Sequence, residues 1–491
     1  MGNMLSSLHW RTASSLFSLP LFHALFSPTR WLSREPASAS TAEAAIAELP
    51  KPAEGKHIVI VGGAYAGLSA VISLQRILSG AAHQPGPYNV ATVPALPRAR
   101  PRITLFDERD GIYHTVGTPL VHTSPDTAAT ASRAWKKYDD IPYLADVAVV
   151  HGRVDSVDPE RRKLVYSAAA AGCEKLLTIG YDYLICATGI KRAWPVQPRA
   201  TNKEDFLRDV ERLVRELVDG HDRIVVVGGG TSHDSPPAHR THVSHGDGDP
   251  TDQRSGAVGA EFAAELKLTQ PEKRVTLVHS QGTLLSAEPL PHEFKTKALE
   301  LLLEAGVEVL LHTRAVEESA GGLVLSTGER IAAASVIWCV RRQHPATTFL
   351  PAAALDPATG LVRVSASLNF PPEVPNHAAH FAVGDAAKWS GIKRVGSALI
   401  MGSFAATNIL LSIVAAENGD EEPQLALFPD VVPMLVLALG KKAVSYHPDH
   451  AMSWGEEPLR QSFEDDLGLA ICWRCLGIEV EGEPQVDGGK K

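Results

Sequence analysis

From His57 onward the chain alternates two patterns: short unbroken apolar runs, and longer stretches whose apolar residues recur every three or four positions. Runs such as HIVIV (57–61), RITLF (102–106), RIVVV (223–227) and RVTLV (274–278) predict strands buried on both faces of a parallel sheet, since a strand covered on one face alternates apolar with polar. AYAGLSAVISLQRIL (64–78), NKEDFLRDVERLVRELVDG (202–220), AVGAEFAAELKL (257–268) and HEFKTKALELLLEAG (292–306) carry helical spacing. KLVYSAAAAGCEKLLTIG (163–180) predicts a hairpin that leads into the strand of YDYLICATG (181–189). HFAVGDAA (380–387) and a helix near GSALIMGSFAATNILLSIV (396–414) close the pattern. Strand and helix alternate in two successive arrays, which predicts an α/β fold followed by a C-terminal α+β segment.

Two stretches interrupt the arrays. SGAAHQPGPYNVATVPALPRARP (79–101) holds too much proline for a helix interior and reads as a surface loop inside the first βαβ unit. Residues 231–256, TSHDSPPAHRTHVSHGDGDPTDQRSG, are polar, lack periodicity and cannot build a packed core of their own. His239, His242 and His245 recur there every third residue, a spacing open to a metal reading, but no metal is assigned. Removing the 26 residues joins RIVVVGGG directly to AVGAEFAAELKL with no residue out of place. The permitted codons also allow an intron-like GT start within Gly230-Thr231-Ser232, a branch-point-like string over Thr251-Asp252 and an AG end at Ser255-Gly256. The stretch therefore reads as a retained intron translated in frame, with a genuine disordered loop as the alternative.

At 491 residues, 44% hydrophobic and 21% charged, the chain is long enough for two to four globular domains. A net charge of -9 and a pI near 6.1 offer no basic field for a phosphate backbone, so nucleic acid is excluded as a partner. Five scattered cysteines without a secretory cleavage pattern argue for a reducing compartment. The first 34 residues carry Arg11, Arg30 and Arg34 but no acid, as a mitochondrial transit peptide does. They also begin Met1-Gly2-x-x-x-Ser6, the pattern for myristoylation and reversible membrane attachment. A cytoplasmic, peripherally membrane-associated protein is expected, with mitochondria as the alternative.

The chemistry lies in the loops that end the strands. Gly62-Gly63-Ala64-Tyr65-Ala66-Gly67 follows the first strand and opens a helix, in the arrangement that lets backbone approach a pyrophosphate resting on the helix N-terminus. Asp107 ends the second strand, with Glu108 beside it, where an acid holds ribose; it follows Gly67 by 40 residues instead of about 20 because of the proline-rich loop. Gly228, Gly230 and Gly259 form a second such motif once 231–256 is set aside. The second strand of that unit ends at His279-Ser280, with neither the acid that favours NADH nor the arginine that favours NADPH. Two dinucleotide units, hence two Rossmann-like domains, suggest electron transfer from a nicotinamide nucleotide to a flavin.

VIVGGAYAGLSA, YDYLICATG, the joined VVVGGGAVGAEFAAEL and HFAVGDAA resemble the FAD-dependent pyridine nucleotide oxidoreductases, in particular their apoptosis-inducing-factor-like branch, over roughly 57–412. The resemblance implies an FAD-binding domain (56–195 and 351–415) interleaved with an NAD(P)-binding domain (196–350), after a leader and linker (1–55). It implies also a C-terminal segment (416–491) that dimerises or faces a membrane. FAD is the implied cofactor and NADH or NADPH the co-substrate. Gly62, Gly63, Ala64, Tyr65, Ala66 and Gly67 would cradle the FAD pyrophosphate, Asp107 the ribose, the Val154 backbone the adenine and Asp385 a ribitol hydroxyl, with Gly189 closing the FAD strand. Lys393 and the helix from about Gly396 would face the flavin pyrimidine edge, although a solvated lysine fits the sequence equally. Glu261 matches an acid close to the nicotinamide, and equally suits a helix N-terminus.

No C-x-x-C stands at either position used by the disulfide reductases of this superfamily, so electrons should pass from flavin to an external acceptor, a quinone being expected. Cys472-Trp473-Arg474-Cys475 has the spacing but lies in the C-terminal segment, where a redox or metal role is the less favoured reading. The apolar leader and VVPMLVLALG (431–440) would suit a membrane-surface site. A soluble reductase of a protein acceptor, and a signalling flavoprotein with an inactive nucleotide domain, remain open. Sequencing the transcript is expected to show a dominant message lacking the codons for 231–256; an abundant message retaining them refutes the intron reading.

Overall fold

The computed structural model describes residues 55–80, 93–168, 176–228, 257–319, 322–332, 334–339 and 344–479. The leader, Gly230, all of 231–256 and the middle of the proline-rich loop lie outside the described residues. The first array runs β1 (His57–Val61), α1 (Tyr65–Leu78), β2 (Arg102–Asp107), α2 (Thr118–Thr123), α3 (Thr127–Ala134), β3 (Ala148–Asp158), β4 (Lys163–Ala168), β5 (Leu176–Gly180) and β6 (Tyr183–Cys186). The second runs α4 (Lys203–Asp219), β7 (Arg223–Val227), α5 (Ala257–Thr269), β8 (Arg274–Val278), α6 (His292–Glu304), β9 (Glu308–Leu310) and β10 (Ala334–Trp338). The chain then returns to the first sheet through β11 (His380–Ala382) and α7 (Val395–Asn418), and ends in β12 (Leu435–Leu439), β13 (Lys442–His447), β14 (His450–Gly455), α8 (Glu456–Phe463) and α9 (Leu469–Cys475).

The first sheet has the order β11-β6-β1-β2-β3-β4-β5, parallel from β11 to β3 and antiparallel in β4 and β5. The second, β9-β8-β7-β10, is wholly parallel. Every residue of β1 is buried, as is all of β7 except its first, which is why both read as unbroken apolar runs. In each sheet the strand carrying the glycines has neighbours of different sequence origin on its two sides, and this puts the crevice at its carboxyl end.

Among the described residues one helix, α7, is long and apolar enough to cross a membrane, yet 78% of its most apolar window is buried inside the protein. It packs on α1, where a Cβ on Gly402 would lie 2.2 Å from the Ala66 carbonyl oxygen and Ser69 Oγ donates to the Leu399 carbonyl at 2.5 Å. Asn408, fully buried in α7, donates to the Ser367 and Ala426 carbonyls at 2.9 and 3.0 Å and accepts the Ala426 amide at 2.8 Å. Such a polar side chain in the helix middle belongs to a protein core that supplies its partners.

The stretch 431–440 corrects the expectation of an apolar membrane face. Met434 and Leu437 to Gly440 are buried, Leu437 and Leu439 packing in one cluster with Ala260 and Phe294, while Val432 alone in that stretch is well exposed. Its apolar residues are the inner side of β12. Asn408→Ala strands three backbone partners, two of them buried, and is expected to cost about 3 kcal/mol of stability, read as a lowered midpoint in urea.

Candidate functional site

The first glycine loop is shaped by what surrounds it. Gly62 adopts φ +101°, and a Cβ there would lie 2.5 Å from the Ala187 carbonyl oxygen at the end of β6. A Cβ on Gly67 would lie 1.8 Å from the Gly62 carbonyl oxygen, so α1 meets the end of β1 backbone to backbone. Ala64 is the N-cap of α1 and no side chain caps it, so the amides of the first turn face outward uncovered, with no acid to oppose an anion. Asp107 Oδ2 accepts the Gly63 amide at 2.6 Å while Oδ1 accepts that of Arg109 at 2.8 Å, which fixes the carboxylate at the loop. Tyr65 and Ala66 are buried, and the Tyr65 hydroxyl bonds His114 Nδ1 at 2.9 Å, leaving its backbone to the loop.

A cleft of about 820 Å3 opens here, lined by Gly62, Asp107, Glu108, Val154, Thr188 and Arg192 among others. Gly189, at φ +68°, follows Thr188, and its carbonyl accepts the Ala346 amide at 3.0 Å. Arg192 reaches from the cleft to Asp385 at 3.3 Å. Asp385 lines a second, small crevice with Lys393, at the N-terminus of α7. α7 begins at Val395, one residue before the expected Gly396, and like α1 has no side-chain cap and no acid in its first turn. Gly384, beside Asp385, backs onto α1, since a Cβ on it would lie 3.0 Å from that of Ala66. The two loops thus form one continuous surface.

The alternative of a solvated Lys393 is corrected. The residue is partly exposed, but protein surrounds its amine, which donates to the Ala387 carbonyl; burial lowers its pKa and Asp385 offsets part of that.

In the second unit, a Cβ on Gly228 would lie 2.8 Å from that of Cys339 and 3.2 Å from Gly259 Cα, and one on Gly259 would lie 3.0 Å from Gly228 Cα. Gly228 and Gly259 repeat the relation of Gly62 to Gly67, although 30 residues separate them in the chain. Glu261 follows on α5, a partly exposed residue whose carboxyl is surrounded by protein. Burial pushes its pKa up to about 8, against the opposing effect of the Ala438 amide it accepts. His279 is wholly buried, with Nε2 bonded to the Thr283 carbonyl at 2.6 Å, so the end of β8 presents a sealed imidazole.

Sequence reasoning missed Tyr138, Arg192 and His114. A Cβ on Gly63 would lie 2.3 Å from the Tyr138 hydroxyl, which donates to the Gly63 carbonyl at 3.0 Å; this glycine makes room for a tyrosine. His114, its pKa held down to about 4 by burial, passes the Tyr65 contact on to the Leu467 carbonyl at 3.1 Å. No spacing rule links these positions to a glycine loop. Cys472 and Cys475 are buried in the main core, and burial raises both thiols, Cys475 to about 12; an exchanging dithiol needs the opposite shift.

Two glycine-hinged βαβ units, one continuous with a second uncapped helix end, define a flavoprotein that handles two dinucleotides. The chain belongs to the pyridine nucleotide-disulphide oxidoreductase family, whose pattern matches residues 56–232 and 255–402. It is similar to oxidoreductase OXR1 of Ajellomyces capsulatus, 36% identical over 86% of this chain and 88% of that protein. To human ferroptosis suppressor protein 1 it is 25% identical over 73% of this chain and 81% of the relative. In fold it resembles the sulfide:quinone oxidoreductase of Aquifex aeolicus, with a TM-score of 0.57 at 15% identity, covering 86% of this chain and 92% of that one. The protein is an FAD-dependent NAD(P)H oxidoreductase, and the glycine cradle with its two uncapped helix ends fits FAD. Gly67→Ala is expected to yield protein with less than about a tenth of the bound FAD, read from the ratio of absorbance at 450 and 280 nm.

Proposed function

We propose that this chain passes two electrons from NAD(P)H to a quinone at the crevice where α7 begins. The observation that carries the acceptor is the crevice wall. Trp389, Ile392, Met401, Phe428 and Val431 line it beside Asp385, Lys393 and Arg394, and the chain neighbours Leu427 and Val432 are 67% and 42% exposed. An apolar approach to a charged end suits a lipid-soluble ring with polar oxygens. The four described cysteines are buried.

Bound FAD supplies the two-electron step between hydride donor and acceptor. The amides of Gly62 to Gly67 hold the pyrophosphate, Asp107 the ribose, the Val154 backbone the adenine and Asp385 a ribitol hydroxyl, with Gly189 giving the backbone its turn beside them. Arg192 pairs with Asp385 and holds the carboxylate at the crevice. Lys393 and the α7 N-terminus place positive potential where the reduced ring gathers charge. Gly228, Gly230 and Gly259 receive the nicotinamide nucleotide, and Glu261 flanks its ring. The Gly2 pattern supports a cytoplasmic, peripherally membrane-held protein, for which a quinone in the bilayer is within reach.

The family pattern skips residues 233–254, and the Gly228–Gly259 contact needs none of them. We infer that the working nucleotide loop lacks 231–256. Deleting them is expected to tighten NAD(P)H binding by at least about tenfold, since the loop then closes through Gly228, Gly230 and Gly259 as the motif requires. Anaerobic titration with NADH and NADPH, followed by a soluble benzoquinone or a ferredoxin-like protein, tests the whole reading. Flavin that bleaches and reoxidises only with the protein acceptor replaces the quinone; yellow protein that neither nucleotide bleaches points to the signalling role.

A further inference from the structure

Glu265 has no part in the chemistry assigned above, yet it stands one turn beyond Glu261 on the same face of α5. That face meets the C-terminal sheet. The Ala438 amide in β12 donates to the Glu261 carboxylate, and a Cβ on Gly440, just past β12, would lie 3.8 Å from the Ala264 carbonyl oxygen, so this strand end runs alongside the pair. Glu265 is 5% exposed, and among the described residues neither a cation nor a hydrogen-bond donor reaches its carboxylate. A carboxyl buried without a partner keeps its proton, and burial pushes Glu265 up to about 7.

The surroundings hold little else that titrates. The Cys339 thiol at the end of β10 lies near Glu261, and burial raises it further from ionisation. From α2, His122 stacks on Phe262 with ring centroids 6.1 Å apart, and burial keeps it neutral, its pKa down to about 3. Lys267 turns its amine to the Pro271 and Lys273 carbonyls, while β8 and α6 meet α5 through apolar residues such as Leu277 and Phe294. Ile392, the neighbour of Lys393 in the crevice wall, belongs to that same apolar cluster.

We propose that Glu265 is the proton reservoir behind Glu261, the two carboxyls passing to the quinone the one proton that the reaction draws from solvent. This rests on the quinone reading. The balance is NAD(P)H + H+ + quinone → NAD(P)+ + hydroquinone, in which the hydride carries both electrons and one hydrogen. The Glu261 O–H bond breaks and its proton goes to a quinone oxygen. The Glu261 carboxylate then takes the proton of Glu265, and water refills Glu265; no protein atom changes oxidation state.

Two acceptors separate this role from a structural one, because ferricyanide takes electrons singly and needs no proton. In the full-length protein Glu265→Gln keeps the shape but holds no transferable proton, and FAD content and thermal midpoint report first on its fold. The variant is expected to lower quinone kcat at least about tenfold, with ferricyanide turnover and anaerobic flavin bleaching within about twofold of wild type. Wild-type quinone kcat should decline as pH rises through about 7, where the donor loses its proton, and this decline should vanish in the variant. Glu265→Asp should restore part of both. Equal losses with both acceptors, lost FAD, or an unchanged quinone kcat and pH profile would overturn the proposal. Wild-type protein that reduces ferricyanide but no quinone refutes the quinone reading itself, and the reservoir with it.

Discussion

The contact on which most of this structure depends is the approach of α1 to the end of β1, so close that one methyl group on Gly67 would overlap the Gly62 carbonyl oxygen. Only at that separation do the uncapped amides of the first turn stand beside the strand end and the Asp107 carboxylate. The rest follows from α1 being held there. α7 lies on α1 because Gly402 admits the Ala66 carbonyl, and Gly384 brings Asp385 to the other side of the same alanine. Cradle, acid and second helix end are therefore set by a chain of close contacts at Gly67, Gly402 and Gly384, each closed to larger residues.

The second unit reproduces the contact across a far longer stretch of chain. The free energy of closing a connection grows only logarithmically with its length, about 0.6 kcal/mol for each doubling, so a contact such as Gly228–Gly259 tolerates a long separation in sequence. A stable fold is therefore no argument about the state of the nucleotide loop, which is a separate demand on the same glycines.

Much of this was legible in the sequence because the constraints are local and periodic. Strands buried on both faces show as unbroken apolar runs, and glycine at a strand–helix junction has few other reasons to recur. The readings that failed or were missing concern residues whose role is set by a distant neighbour. Residues 431–440 read as an exposed apolar stretch because hydrophobicity alone does not reveal that β12 turns that side to α5. Tyr138 and His114 reach the first loop from 75 and 49 residues away, by packing that no spacing encodes. Glu265 is the sharpest case: a glutamate on a helix reads as solvent-facing, yet here it is 5% exposed, on a helix packed between α2, β8 and the C-terminal sheet.

That sheet and the helices after it are better understood as a shared wall than as an appended domain. Through the Leu467 carbonyl the segment holds His114, and through His114 the Tyr65 side chain in the first turn of α1. Through the Ala438 amide it holds the Glu261 carboxylate in the second unit. Each contact ends on a residue beside a glycine loop, and each is a hydrogen bond made in a buried setting, where an unmet donor or acceptor is costly. A displacement of the segment would therefore disturb both loops together. One C-terminal wall thus meets both glycine-loop units, each through its own hydrogen bond.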